Sequence, residues 1–178
     1  MNEKQCSLWP AFWTQGPVWP DNGEIDIIEN INLATNNRFS LHTLNGCRHP
    51  ASTTSFAADG TAIMSETGIL ISTDCFNRTN FDEGCLVEDP NPASYGAGFA
   101  AAGGGAYAML WDESGIKLWF FERKDVPGDF SSDNPNPDSW GLPKAFYPTT
   151  ACNFTQFFTP QSLIFVSIRD LFTLPPQC

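Results

Sequence analysis

Positive charge is scarce in this sequence. Nine Lys and Arg stand against 20 Asp and Glu in 178 residues, giving a net charge of −11. A surface of that sign repels phosphate, which excludes nucleic acid and anionic membranes as partners. Charge of either sign is sparse, at 16% of residues. No hydrophobic run has the length of a transmembrane helix. The opening Met1-Asn2-Glu3-Lys4-Gln5 lacks the apolar segment of a secretory signal. No Cys-x-x-Cys pair suggests zinc, and no internal repeat or long amphipathic helix is present. What remains is aromatic and turn-rich, with 13% aromatics, 14 Gly and 14 Pro. That composition points to a β protein, long enough for one domain with a sizeable core.

Cysteine is present in an even set, at positions 6, 47, 75, 85, 152 and 178. Six cysteines allow ~15 pairings, and a local Cys75–Cys85 bridge around an Asn-, Asp- and Gly-containing loop is the pairing the spacing suggests. Asn77-Arg78-Thr79 and Asn153-Phe154-Thr155 are glycosylation sequons. Together these favour an oxidising, extracellular setting.

The most informative stretch is Gly23-Glu24-Ile25-Asp26-Ile27-Ile28-Glu29-Asn30. It reads as a β-strand with Ile25 and Ile27 on one face and Glu24 and Asp26 on the other. Like charges that close repel each other, so stability alone does not select them. Glu29 is five residues from Glu24, and an unbroken strand turns it to the opposite face. A β-bulge absorbs the extra residue and returns Glu29 to the acidic face. Two Glu at i and i+4 on one strand have Cα atoms ~13 Å apart. Side chains leaning together then approach the ~5–5.5 Å carboxyl separation of a retaining glycosidase. One acid must be ionised to attack and the other must hold a proton, and neighbouring negative charge separates their pKa values. Asp26 stands between them to tune both. A solvated acidic face on an edge strand accounts for the same pattern. The spacing of Asp21, Asn22 and Glu24 does not match a calcium loop, and no metal or cofactor is expected.

Upstream lies Trp9-Pro10-Ala11-Phe12-Trp13-Thr14-Gln15-Gly16-Pro17-Val18-Trp19-Pro20. Indole faces stack on sugar rings and also make good core. Trp19, in a Pro-flanked loop five residues before Glu24, is the better sugar contact, with Trp13 a second candidate. This run, followed by Gly-Glu-Ile-Asp-Ile-Ile-Glu, resembles glycoside hydrolase family 16, and within it the fungal endo-1,3(4)-β-glucanases or laminarinases. The family signature Glu-x-Asp-x-x-Glu is matched by Glu24, Asp26 and Glu29. The resemblance implies that Glu24 is the nucleophile, Glu29 the general acid/base, and Asp26 an influence on the protonation of both. It implies a β-glucan substrate, a monomer, and an all-β jelly-roll sandwich like that of legume lectins and concanavalin. Leu41-His42-Thr43 resembles the strand after the catalytic one, where the family carries a His near the nucleophile. A non-catalytic carbohydrate-binding protein and a transglycosylase remain alternatives on the same residues.

Along the chain, residues 1–23 read as loop, 24–30 as the acidic strand and 38–44 as the next strand before an Asn45-Gly46 turn. Residues 48–62 read as loop, and Met64 to Ser72 as strand or short helix. Gly96-Ala97-Gly98-Phe99-Ala100-Ala101 formally fits a dinucleotide fingerprint. It follows no strand, so that reading is rejected. Residues 105–111 and 115–123 are two hairpin strands, and Trp119 in the second reads as core rather than groove. Residues 124–148 read as a long loop with Trp140 as a rim contact for sugar. Residues 162–168 form a last apolar strand. Family members carry strands before the acidic one and continue after the last. The domain expected over residues 1–168 is therefore incomplete at both ends, followed by an unmatched tail at 169–178. Sheet edges and part of the core are then exposed, and Cys152 is left without its usual partner unless Cys178 replaces it.

Overall fold

The computed structural model describes residues 8–52, 54–56 and 62–169. The tail expected over 169–178 lies outside them except for Arg169, as do Cys6 and Cys178. Among the described residues, eleven strands build three antiparallel sheets, and two of the sheets form a sandwich. The larger sheet contains β1 (Leu8–Gln15), β2 (Glu24–Glu29), β3 (Arg38–His42), β6 (Ile69–Ser72), β7 (Cys85–Glu88) and β11 (Ser162–Arg169). Its order is β11-β1-β2-β3-β7-β6. The smaller sheet joins β8 (Gly105–Asp112), β9 (Gly115–Glu122) and β10 (Ala145–Pro148) in the order β10-β9-β8. A hairpin of β4 (Thr54–Phe56) and β5 (Ala62–Met64) stands apart.

Alternation along the strands fixes which face is buried. Ile25 and Ile27 of β2, Phe39 and Leu41 of β3 and Val87 of β7 pack against Ile116, Leu118 and Phe120 of β9 and Tyr147 of β10. This is the period-2 patterning of two sheets sharing one core. The Tyr147 hydroxyl ties the sheets together by donating to the Phe39 carbonyl at 2.8 Å. Trp119 is buried, as expected, but on the opposite face of β9 from Leu118.

Three stretches expected as loop contain strand. Leu8–Gln15 is β1, although Pro10 and two Trp obscure its period. Pro10 falls outside the β1–β2 register, which begins at Ala11. A missing N–H is tolerated there, and the Pro10 carbonyl accepts from the Tyr95 hydroxyl at 3.0 Å. The 48–62 stretch contains β4 and the start of β5. The 124–148 stretch ends in β10, whose Ala145 and Tyr147 face the core. Ile69–Ser72 resolves the ambiguous segment as strand. The rejected fingerprint forms one short helix, α1 (Gly96–Ala101). The small helix α2 (Phe154–Phe157) adds Phe154 and Phe157 to the core.

Cys75–Cys85 forms as expected. Cys152 is not left without a partner, because it pairs with Cys47 across 105 residues. Beside the short bridge, Asn80, Phe81 and Asp82 all have positive φ, at 51°, 58° and 70°. Left-handed backbone costs an L-residue roughly 1–2 kcal/mol, and it is rare for a bulky one. At the far edge of the large sheet, β11 pairs with β1 only, among the described residues. Phe165 lies opposite Phe12 on the inner face, yet Phe165 is 79% and Leu163 65% exposed. The smaller sheet does not reach over this edge.

Candidate active site

The acids sit on the outer face of the large sheet because the isoleucines between them take the core. Glu24 lies opposite His42, Asp26 opposite Ser40, and Glu29 opposite Arg38 on β3. The register slips between Asp26 and Glu29 on that side. On the other side Trp13 faces Asp26, Phe12 faces Ile28 and Ala11 faces Glu29, so Ile27 has no opposite on β1. This is the expected bulge. Ile27 and Ile28 both turn inward, and Glu29 rejoins Glu24 and Asp26.

Each carboxylate has a dedicated donor. The Trp19 indole N–H donates to Glu24 Oε2. The Trp9 indole donates to Glu29 Oε1 at 2.7 Å. Asp26 is buried, and one of its oxygens, Oδ2, accepts from Ser40 Oγ at 2.5 Å and meets His42 Nε2 at 3.0 Å. Ligand atoms of Glu24, Asp26 and His42 lie within 4.8 Å of one another, the closest approach to a metal-ligand set among the described residues. Every one of these residues is already engaged. His42 Nε2 is directed at Asp26, and Trp19 is directed at Glu24. The arrangement suits proton transfer better than cation binding.

Burial pushes the Glu24 carboxyl from its usual 4.5 up to about 8, with the Asp26 charge as the next cause; His42 and the Trp19 bond oppose it. Glu29 rises to about 7, first by burial and then by Asp26, against the Trp9 bond, His42 and Arg38. Burial lowers His42, but the bond to Asp26 and the charges of Asp26, Glu24 and Glu29 outweigh it and raise the ring to about 9. Two carboxyls that interact in this way titrate as a pair and hold one proton between them near neutrality. The values alone put Glu24 above Glu29. The local geometry argues for a carboxylate at Glu24, because it faces the His42 ring and takes the Trp19 N–H.

A stability prediction follows from Glu29 and His42. Each binds its proton more tightly in the folded chain than at its ordinary value of 4.5 or 6.5. Their contribution is complete below the ordinary value and is lost as pH rises through about 7 to 9. The urea midpoint should therefore be higher at pH 5.5 than at pH 9. Glu29→Gln should flatten that slope, and an unchanged slope would contradict the assignment.

Trp19 and His42 join the acids as expected. Trp13 reaches the same face, half-buried opposite Asp26. Trp140 does not. It packs edge-on against Trp119 and Phe121 and beside Phe130, and donates from Nε1 to Asp129 at 2.9 Å. Trp119 points away from the core, so this cluster covers the outer face of the smaller sheet, with the whole core between it and the acids. Trp140→Ala should lower the melting temperature and leave the titration of the acid cluster unchanged; a shift of that titration would reverse this placement. The sequence reading missed Trp9 and Ser40. Trp9 is four residues before Trp13 and shares its face only once β1 is known to be a strand. Ser40 is two before His42 and carried no motif.

Residues 1–168 match the family described as XgeA-like, catalytic GH16 domain. A probable glycosidase of Schizosaccharomyces pombe is 39% identical over 162 residues, 90% of this chain and 36% of that protein. An endo-1,3(4)-β-glucanase of Arthroderma benhamiae is 36% identical over 165 residues, 90% of this chain and 34% of that protein. Laminarinase 16A from Phanerochaete chrysosporium, solved with β-glucans in donor and acceptor sites, superposes with a TM-score of 0.80 at 39% identity, covering 91% of this chain and 52% of that one. The chain thus spans about a third of these curated relatives and about half of the solved structure. The sandwich is the jelly roll that the sequence led us to expect.

Proposed function

Because this chain belongs to glycoside hydrolase family 16, we propose that it cleaves internal bonds of β-1,3(4)-glucan with retention of anomeric configuration. The observation that carries the proposal is the bulge at Ile27, which brings Glu24 and Glu29 to one face with buried Asp26 between them. In the first step the Glu24 carboxylate attacks the anomeric carbon. The glycosidic C–O bond breaks, and Glu29 gives its proton to the departing oxygen, which leaves as a hydroxyl. A glycosyl ester on Glu24 remains. Glu29, now a carboxylate, takes a proton from water as the water oxygen attacks the same carbon and frees Glu24. Two inversions give net retention.

The other residues support these steps. Burial and Asp26 keep a proton on Glu29 up to about pH 7, which suits a general acid. Trp19 and Trp13 offer indole faces beside the acids for sugar rings. An extracellular setting is part of the same proposal, supported by the Cys47–Cys152 and Cys75–Cys85 disulfides. The similar laminarinase, held with β-glucans, supports the choice of substrate.

The test is product stereochemistry. Incubated with laminarin and followed by proton NMR, the chain should release β-anomers first, with α-anomers growing only by mutarotation. Release of α-anomers first would reject the double displacement. Binding without any new reducing ends would favour the carbohydrate-binding alternative.

A further inference from the structure

Beyond the acids, the same face of the large sheet continues across β3 and β7 to β6. There a cavity of about 480 Å³ opens among Ile71, Ser72, Asp74, Asn80, Phe81 and Glu83. Phe81 is 103% exposed, so it contributes nothing to the core. It is also held in left-handed backbone, flanked by two more residues of the same kind. An apolar ring kept in water on strained backbone calls for a use other than folding. The loop carrying it is closed by Cys75–Cys85 and pinned where Asn80 donates to Ser72 Oγ and Ser72 Oγ donates to the Gly84 carbonyl. The ring is therefore presented on a fixed mount.

Two connections tie this cavity to the acids. Glu83 pairs with Arg38 at 3.7 Å, and Arg38 is the residue opposite Glu29. Gly84 lies against His42, where a Cβ would come within 3.2 Å of Nδ1 and would collide with the Leu41 carbonyl. Three strand spacings separate β6 from β2, or ~14 Å. That is the reach of a few sugar units, in the direction across the strands. The chemistry of the cavity suits a neutral polysaccharide. One aromatic face is available for stacking, and the carboxylates of Asp74 and Glu83 and the amide of Asn80 can accept from or donate to hydroxyls.

We propose that Phe81 and the cavity beside it form a distal subsite that holds the β-glucan chain several sugar units away from the acids. This rests on the glucanase reading above. The subsite sets a preference for long chains over short oligosaccharides, because only a long chain spans from Glu24 to Phe81.

The test uses Glu24→Gln protein, which holds substrate without cleaving it, and measures affinity by calorimetry for laminarin and for laminaribiose. Adding Phe81→Ala should weaken laminarin binding roughly three- to tenfold and leave laminaribiose binding unchanged. Phe81→Trp should restore laminarin binding. Since Phe81 touches no core residue, the melting temperature should not move, which separates lost stacking from lost fold. Equal laminarin binding with and without the Phe81 ring overturns the subsite while leaving the glucanase reading intact. So does a loss shared equally by both ligands. If the Glu24→Gln protein binds neither glucan, the glucanase reading and the subsite fail together.

Discussion

Glu24→Gln should reduce laminarin hydrolysis at least ~10³-fold, and Glu29→Gln should reduce it ~10²–10⁴-fold. The two losses differ in kind. Without Glu24 no covalent intermediate forms. Without Glu29 the leaving oxygen goes unprotonated and the incoming water unassisted. A substrate with a good leaving group bypasses the first defect, and a small anion such as azide bypasses the second because it needs no base. Azide should therefore rescue Glu29→Ala on an activated aryl glycoside and give a product with retained configuration. It should give an inverted product with Glu24→Ala. Reversed outcomes would exchange the two roles. The substitutions keep the fold, since neither carboxylate is part of the core and Gln is nearly isosteric. Wild-type rates in both Gln variants would remove the acidic strand from the chemistry altogether.

Cys47→Ser should destabilise the fold by ~4–5 kcal/mol, the loop-closure value for a crosslink of about this span. The bridge closes 105 residues, from the segment after β3 to the segment before α2, and both sulfurs are buried. At roughly 2–4 °C per kcal/mol for a domain of this size, the melting temperature should fall by roughly 10–20 °C. Cys75→Ser opens a loop of only 10 residues, and the same relation gives ~3 kcal/mol. It should also weaken long-glucan affinity, by no more than Phe81→Ala does, because it releases the loop that carries Phe81. Thermal denaturation of the two variants in parallel checks the ranking, and a Cys47→Ser protein melting within 2–3 °C of the parent would contradict it.

The acidic strand was readable because its information is local. Parity alone shows that Glu29 needs an extra residue to rejoin Glu24, and the structure supplies Ile27. The β8–β9 hairpin is equally plain, since both strands are eight residues long with a short turn between them. What failed was what depends on the third dimension. β1 is hidden because Pro10 reads as a breaker, yet a proline just outside the β1–β2 register costs that ladder no hydrogen bond. β10 is hidden at the end of a Pro- and Ser-rich stretch, where four residues are too few to display a period. Trp140 shares composition and loop context with Trp19, and nothing local says that one covers the acids while the other covers the opposite side of the sandwich. The Cys47–Cys152 pairing is likewise a fact of packing rather than spacing.

The outer edge of β11 has a colloidal consequence. Residues 162–168, Ser-Leu-Ile-Phe-Val-Ser-Ile, contain no charge and no proline, and Arg169 at the end of β11 is its one charge; charge and proline are the two devices that ordinarily stop one sheet from recruiting another. One force keeping copies apart is the long-range repulsion of a net charge of −11. That repulsion extends ~30 Å at 0.01 M ionic strength and only ~3 Å at 1 M. Salt therefore acts here as an adhesive: dilute buffer holds these edges apart, and brine lets strand meet strand.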